Sequence, residues 1–474
     1  MKSTESRGRG WRPGSRFSLL ASPFLIAFAS MWCASSSWAS GITLAKYGGI
    51  HGHPNVDGGL SLYWNPARLG VEPGFFVSLD ATGIRRAAEY DRASAFEELR
   101  HAFRSEDPDV LEAYMNDPQV REEYERSNVG LATTSTVAVL PYGAFGYARE
   151  LGSHLQGGLA FGLYPAFGGG GSWDRNLDAP ASPGGAVDGP QRWASISSNL
   201  MVLHYTTGVG LTVPRYGASL GFSASYVTSE LETVRARNAN RSDAIVNPRG
   251  QLEEGRIWFN GSDSTWAFTV AAALDAGNIR AGAVYRFRHS VRMTGPLDIA
   301  FGVANPERTN AFVDFPFPDV FETSLSASVG RLTLTGITNF TQWSLIRDND
   351  AQTITPAGDI ERLLLIPRNL RNTFSMRGLA EWRFSDRLEV GVMLGLDPSA
   401  VPEETLDPGL SDAFKIQTGL GARIRFTDGL RLNTSLMHDF FFEAESTNSL
   451  HEPRLNGTYR DVRTYLNLSL EARL

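Results

Sequence analysis

Apolar and polar residues alternate one by one through most of the C-terminal half of this chain. In residues 374–384 one face is mostly charged or polar, and the other carries Phe374, Met376, Gly378, Ala380, Trp382 and Phe384. The same alternation recurs in residues 388–396, 415–426, 430–443 and 459–474. A side-chain period of two, sustained over about ten residues, predicts a β-strand with one apolar face. Along the whole chain we count about fourteen such segments.

The connections between these segments alternate in length. Those after even-numbered segments are short, at residues 149–153, 214–216, 275–278, 330–331, 385–387 and 427–429, and most of the others are long. Antiparallel membrane barrels have short turns on one side, long loops on the other and an even strand count. Closing the sheet into a barrel also gives every strand edge a hydrogen-bonding partner, which lipid acyl chains cannot provide. The sequence therefore predicts an all-β protein, a 14-stranded antiparallel transmembrane β-barrel over residues 74–474.

Composition excludes several other classes of protein. The mean hydropathy is −0.19 and only one apolar run approaches the length of a membrane helix, so a bundle of membrane helices is excluded. The net charge of −7 gives no reason to expect a nucleic-acid partner. The single cysteine, Cys33, cannot form an intrachain disulfide.

The N-terminus is typical of a targeting segment. Five basic residues precede an apolar stretch at residues 17–34, and Ser37-Trp38-Ala39 fits a cleavage site with small residues at its first and third positions. Residues 1–39 are therefore predicted to be a secretory signal peptide. The alternative is an anchor that stays uncleaved in the inner membrane.

Two segments do not alternate. Residues 84–128 are charged and compatible with helices, and we expect them to form the first external loop. That loop is either a solvated cap or a surface that collects substrate. Residues 40–73 are compact and rich in small residues, and we expect them to fill the barrel as an N-terminal hatch.

The hatch segment carries a resemblance to a known family. A glycine-rich stretch followed by Tyr63-Trp64-Asn65-Pro66-Ala67-Arg68-Leu69 resembles the hatch of the FadL/TodX (OMPP1) family, with Asn65, Pro66 and Ala67 as its most specific element. The resemblance implies a fourteen-stranded transporter in the outer membrane of a Gram-negative bacterium. It also implies passive uptake of long-chain fatty acids or similar hydrophobic compounds, in which the hatch is displaced. The chain departs from the family at His51 and His53, in its first-loop helices and at its terminal Leu474.

The resemblance also implies a lateral exit beside a kinked third strand. Glycines weaken strand pairing and permit bulges, so we hypothesise an opening near Gly157, Gly158 and Gly162. The alternative is that these glycines allow close packing against the hatch.

A carboxylate substrate would require a cation in the lumen. Arg286, Arg288 and Arg377 lie on polar, inward-facing registers, and a guanidinium binds a carboxylate with two hydrogen bonds. The alternative is that these arginines pair with inward acids such as Glu381 and Glu389.

Other chemistry has little support in the sequence. His51 and His53 could chelate a metal, but no third ligand is evident, so we expect no metal and no cofactor. No spacing of nucleophile and base points to catalysis, so we expect no catalytic residue and no enzyme. The expected partners are a hydrophobic small molecule and outer-membrane lipid, without nucleic acid, for a monomeric barrel. The alternative functions are a general diffusion porin and a structural or adhesive barrel.

Overall fold

The computed structural model describes residues 46–177, 184–302, 306–355 and 357–474 of the chain. The predicted signal peptide and the first residues of the predicted hatch lie outside the described residues. Nineteen strand segments form one closed antiparallel sheet. Because five strands are each interrupted once, these segments make fourteen strands, and the predicted 14-stranded barrel is confirmed.

The strands follow one another around the barrel in chain order. Their bounds are β1 Gly74–Arg92, β2 Gly130–Glu150, β3 Gln156–Ser172, β4 Ser197–Val213, β5 Ala218–Arg237, β6 Gly255–Ala276, β7 Ile279–Arg286 with His289–Ala300, β8 Glu307–Phe317 with Val320–Val329, β9 Leu332–Thr341 with Ala351–Ile354, β10 Ile360–Leu364 with Thr373–Arg383, β11 Leu388–Asp397, β12 Lys415–Thr427, β13 Leu430–Phe441 with Ala444–Ser446, and β14 Gly457–Arg473. β1 pairs with β2 on one side and with β14 on the other, which closes the sheet. We call the end with short turns the turn end and the opposite end the loop end.

Side chains on β14 show why the sequence folds into a barrel. Tyr465, Asn467 and Ser469 point inward and are buried, whereas Leu466 and Leu468 point outward and are half exposed. Most other strands likewise direct large apolar side chains outward, which suits a wall in contact with lipid acyl chains. No helix in the described part of the chain is long and apolar enough to cross a membrane.

The first loop begins later than the sequence predicted. β1 continues to Arg92, so residues 84–92 are strand rather than loop. The inward face of this extension contains charged side chains, and their partners lie far along the chain: Arg86 pairs with Asp461 and Arg92 with Asp243. Alternation of apolar residues therefore could not reveal this extension of β1.

The rest of the first loop folds into a helical cap. It comprises a 3-10 helix, Phe96–Glu98, followed by α-helices Leu99–Ala102, Pro108–Asn116 and Pro118–Asn128. Asp107 and Asp117 cap the two longer helices, each accepting hydrogen bonds from backbone amides in the first turn. The apolar faces of the helices form a small core together with Ala244 of the loop between β5 and β6.

The described part of the hatch, residues 46–73, lies inside the barrel. It contains a 3-10 helix, Gly49–His51, a short α-helix, Ser61–Trp64, and a second 3-10 helix, Pro66–Gly70. Nearly all of its side chains are buried. Further 3-10 helices lie in the connections between strands, at Gly184–Asp188, Pro190–Trp193, Pro214–Tyr216, Trp343–Leu345 and Glu403–Thr405.

Candidate functional site

Asn65 joins the hatch to the barrel wall. Its Oδ1 accepts a hydrogen bond from the amide of Ala67 at 3.1 Å, which caps the second 3-10 helix of the hatch. Its Nδ2 donates to the carbonyl of Pro54 at 2.8 Å and to the carbonyl of Ala272, on β6, at 3.1 Å. Ala67 is fully buried among side chains of β6 and β7. The Asn-Pro-Ala motif therefore shapes the hatch and attaches it to β6.

Arg68 provides a charged anchor at the turn end of the hatch. Its Nε lies 2.7 Å from Asp57 Oδ1 within the hatch, and its Nη1 lies 3.0 Å from Asp275 Oδ1 on β6. Arg280 of β7 reaches Asp57 from the wall, at 2.6 Å. Burial alone would raise the pKa of Asp57, but these two guanidinium groups hold it below its usual value.

The two hatch histidines have different partners at Nδ1. His51 Nδ1 lies 2.7 Å from Glu381 Oε1 on β10, and His53 Nδ1 accepts a hydrogen bond from the amide of Asn55 at 3.2 Å. In the described residues, no group of three or more histidine, cysteine, aspartate or glutamate side chains is arranged to hold a metal ion.

We expect the hatch to become less firmly docked in acid because of His53. Burial lowers the pKa of this imidazole from 6.5 to about 3. A released hatch would expose it to water and restore an ordinary pKa, so docking is fully stabilised above pH 6.5 and loses stability as the pH falls toward 3. Protection factors of the amides in residues 46–73, which are exchange rates corrected for the intrinsic effect of pH, should therefore fall in acid. His53→Asn retains an acceptor but cannot titrate there, so equal acid sensitivity in this variant would reject the explanation.

A cavity of about 200 Å³ lies on the loop side of the hatch, and we call it the hatch cavity. Leu62, Tyr63 and Trp64 of the hatch form part of its lining. Arg286 and Arg377 also line it, and both contact one carboxylate, that of Glu322, at 3.1 Å and 3.2 Å. This cluster therefore carries two positive charges against one negative charge.

The three predicted carboxylate-binding arginines lie in different surroundings. Arg286 also donates to the carbonyl of Tyr63 at 2.9 Å, so it contacts the hatch as well as Glu322. Arg288 does not line the hatch cavity: its side chain is 62% exposed and lies 3.7 Å from Asp319. Pairing with an inward acid, the alternative for these arginines, therefore occurs at Arg286 and Arg377 through Glu322. Glu381 and Glu389, the acids named as examples, pair with Arg423.

A second cavity, of about 150 Å³, lies nearer the loop end, and we call it the loop-side cavity. Leu370 and Leu410 line both cavities, so the two are adjacent. Arg235 and Asn349 are polar members of a largely apolar lining, and the sequence analysis missed both. Arg235 does lie on the inward register of its strand, but arginines with and without partners look alike in a sequence.

The barrel wall has a gap between β2 and β3. The two strands pair from Glu150–Gln156 to Gly143–Leu163, and no further ladder pair joins them in the described chain. From Tyr164 onward β3 remains paired with β4 through a bulge at Ala166, and Phe167 contacts Phe317 of β8 with ring centroids 4.8 Å apart. At the loop end Thr134 Oγ1 donates to the carbonyl of Ser172 at 2.8 Å. This β2–β3 gap is therefore bounded at both ends, and Tyr164, Ala166 and Phe167 connect it to the hatch cavity.

The glycines predicted to mark the opening lie outside the gap. Gly157, Gly158 and Gly162 are paired with both neighbouring strands, on its turn side. A Cβ at Gly158 would overlap the carbonyl of Leu69, and one at Gly162 would press on the Leu62 side chain. The glycines allow the hatch to pack against the wall, and the ladder is broken instead where Pro165, which lacks an amide donor, meets the Ala166 bulge.

Fold and cavities together define a class of protein, the closed fourteen-stranded barrel with an N-terminal segment inside its lumen. No family model matches this sequence, and no curated protein matches it. Among solved structures, a FadL homologue of Pseudomonas aeruginosa superposes with a TM-score of 0.69 over 92% of this chain and 100% of its own, at 14% identity. The toluene transporter TodX of Pseudomonas putida gives 0.64 over 91% and 98%, also at 14% identity. The toluene transporter TbuX of Ralstonia pickettii gives 0.57 over 90% and 97%, again at 14% identity. The chain therefore has the fold of these transporters.

Proposed function

We propose that this chain is an outer-membrane channel for the passive uptake of long-chain fatty acids or similar hydrophobic compounds. The observation that carries the proposal is the β2–β3 gap, which lies beside the hatch cavity. A hydrophobic solute would pass from the loop-side cavity to the hatch cavity and leave through the gap, while displacement of the hatch widens its path. The shared fold with a FadL homologue and with toluene transporters supports this function.

The proposal includes the organisation of the whole chain. Residues 1–39 would be the signal peptide, residues 40–73 the hatch and residues 74–474 the barrel. The outward apolar side chains support a place in the outer membrane, with lipid around a monomeric wall. The substrate is a hydrophobic small molecule, and the chain acts as a channel rather than an enzyme.

On this uptake route, the hatch cavity would contact the carboxylate of the substrate. Arg286 and Arg377 remain proposed contacts for a substrate carboxylate, because Glu322 neutralises only one of their two charges. Arg286 also donates to the hatch carbonyl of Tyr63, so an anion held there would compete with a hatch contact. Arg288 is not a proposed contact, because its side chain is exposed and lies beside Asp319.

Uptake and conductance together test the function. Cells that lack their own fatty-acid transporter and express the full chain should accumulate labelled hexadecanoate faster than cells with an empty vector. The purified protein in a planar bilayer should conduct ions poorly, because the hatch fills the lumen. High steady conductance would instead indicate a general diffusion porin. Normal expression without uptake would favour a structural or adhesive barrel.

A further inference from the structure

The loop-side cavity has an apolar wall. The side chains that form it come from strands on several sides of the barrel and include Leu200, Leu231, Ile257, Phe259, Val313 and Phe315. Such a surface suits a hydrocarbon chain, because burying apolar area against apolar area is favourable.

One buried cation lines this apolar cavity. Arg235, on β5, is only 6% exposed, and its Nη2 donates to the carbonyl of Trp193. Its Nε has no partner in the described part of the chain. The nearby carboxylate of Asp407 is engaged by Arg368. Arg235, Arg368 and Asp407 therefore leave the cavity lining with one net positive charge.

Most other buried arginines in the described residues have a carboxylate partner, which Arg235 lacks. Five of them form ion pairs with carboxylates, namely Arg68, Arg86, Arg92, Arg192 and Arg463. Arg237 is buried without such a pair, but it donates to the carbonyl of Glu452 at 3.0 Å and lines neither cavity. Since an unpaired charge is costly to bury, the Arg235 guanidinium favours an anion beside it.

A second donor without a partner lines the same cavity. Asn349 is buried, and its Oδ1 accepts a hydrogen bond from Arg368 Nε at 3.0 Å, which fixes the orientation of the amide. Its Nδ2 then has no acceptor in the described residues. The two unpartnered groups are both N–H donors, so what they lack is an acceptor.

We propose that the loop-side cavity binds an amphiphile with a single carboxylate, held by Arg235 and Asn349, while its apolar tail lies along the cavity wall. The inference rests on the proposed function and deepens it, because it selects anionic amphiphiles over neutral hydrocarbons as the compounds this chain prefers. It also assigns the first anion contact to the loop-side cavity rather than to the Glu322 cluster beside the hatch.

Equilibrium binding to the purified full chain in detergent tests this proposal. Hexadecanoate and its methyl ester have the same tail, but only the acid carries a charge, so the wild type should bind the acid more tightly. Arg235→Gln should weaken hexadecanoate binding by about tenfold or more, because it removes a charged hydrogen bond, and should leave the ester unchanged. Asn349→Ala should cause a smaller loss for the acid alone. Arg235→Lys keeps the charge and should retain part of the preference.

Arg237→Gln is the matched control, since it removes a buried arginine from the same strand without altering the cavity lining. This control should bind both ligands as the wild type does, and the mobility of unheated protein in gel electrophoresis should verify that each variant is folded. Equal losses in the Arg235→Gln and Arg237→Gln variants would overturn the proposal. A wild type that binds acid and ester equally would overturn it while leaving the transport function intact. A wild type that binds neither would overturn both.

Discussion

Tethering β2 to β3 across the gap should reduce uptake of hexadecanoate to the background of cells without the protein. We would place cysteines at Ala138 and Ala166, on the two edges of the gap, and join them with a cleavable two-armed thiol reagent. If the substrate leaves sideways, the tether prevents the strands from separating and occupies the opening. Cys33 is the only natural cysteine, so the chemistry can be confined to the introduced pair. Cleavage of the tether should restore uptake.

The matched control for the tether lies in continuous wall. Val202 of β4 and Ser229 of β5 are paired and, like Ala138 and Ala166, buried, so a bridge between them joins two strands without touching the gap. Uptake through this control should match the untreated protein. Undiminished uptake with a completed Ala138–Ala166 bridge would exclude the lateral route and leave the turn end as the exit.

Replacing Arg68 with methionine should release the hatch. The guanidinium pairs with Asp57 and Asp275, and its removal leaves two partly buried carboxylates with fewer partners. Loss of one partner from a buried ion pair typically costs 3–5 kcal/mol, and since Arg280 still holds Asp57 we expect about 3 kcal/mol. Ion conductance in a planar bilayer should rise from nearly closed to long-lived open events.

Charge removal on one partner provides the control for Arg68. In an Arg68→Met, Asp275→Asn variant the remaining carboxylate, that of Asp57, keeps Arg280 as its partner, so part of the low conductance should return. If Arg68→Met alone conducts no better than the wild type, the ion pairs do not hold the hatch in place. Thermal unfolding of the barrel should change little in either variant, because most of the wall ladder does not involve the hatch.

The sequence predicted the wall better than the lumen, for a physical reason. Each strand's outward face is apolar along the membrane, so alternation identified all fourteen strands and their short turns. It failed at residues 84–92 and at other extensions toward the loop end, where strands leave the apolar zone and carry side chains of any polarity. The β2–β3 gap depends on a register change beside Pro165, which alternation of polarity does not record.

Pairing between distant side chains could not be derived at all. Alternation places Arg286 and Arg377 on inward-facing registers, but it does not show that they share a partner, Glu322, on another strand. Arg235 shows the converse, because it is a proposed anion contact on account of the carboxylate partner that it lacks. A sequence shows which charged side chains exist, and only the folded barrel shows which of them are neutralised by a partner of opposite charge.

The closing pair of strands has a consequence for biogenesis. β1 pairs with β14 over the length of both, so the wall is completed only when the last strand of the chain has arrived. The hatch precedes β1 in the chain and contacts β13 and β14, and the Ile50 amide donates to Ser435 of β13. The hatch must therefore be enclosed by a sheet that only β14 closes, and assembly has to thread or retain the hatch before the cylinder seals.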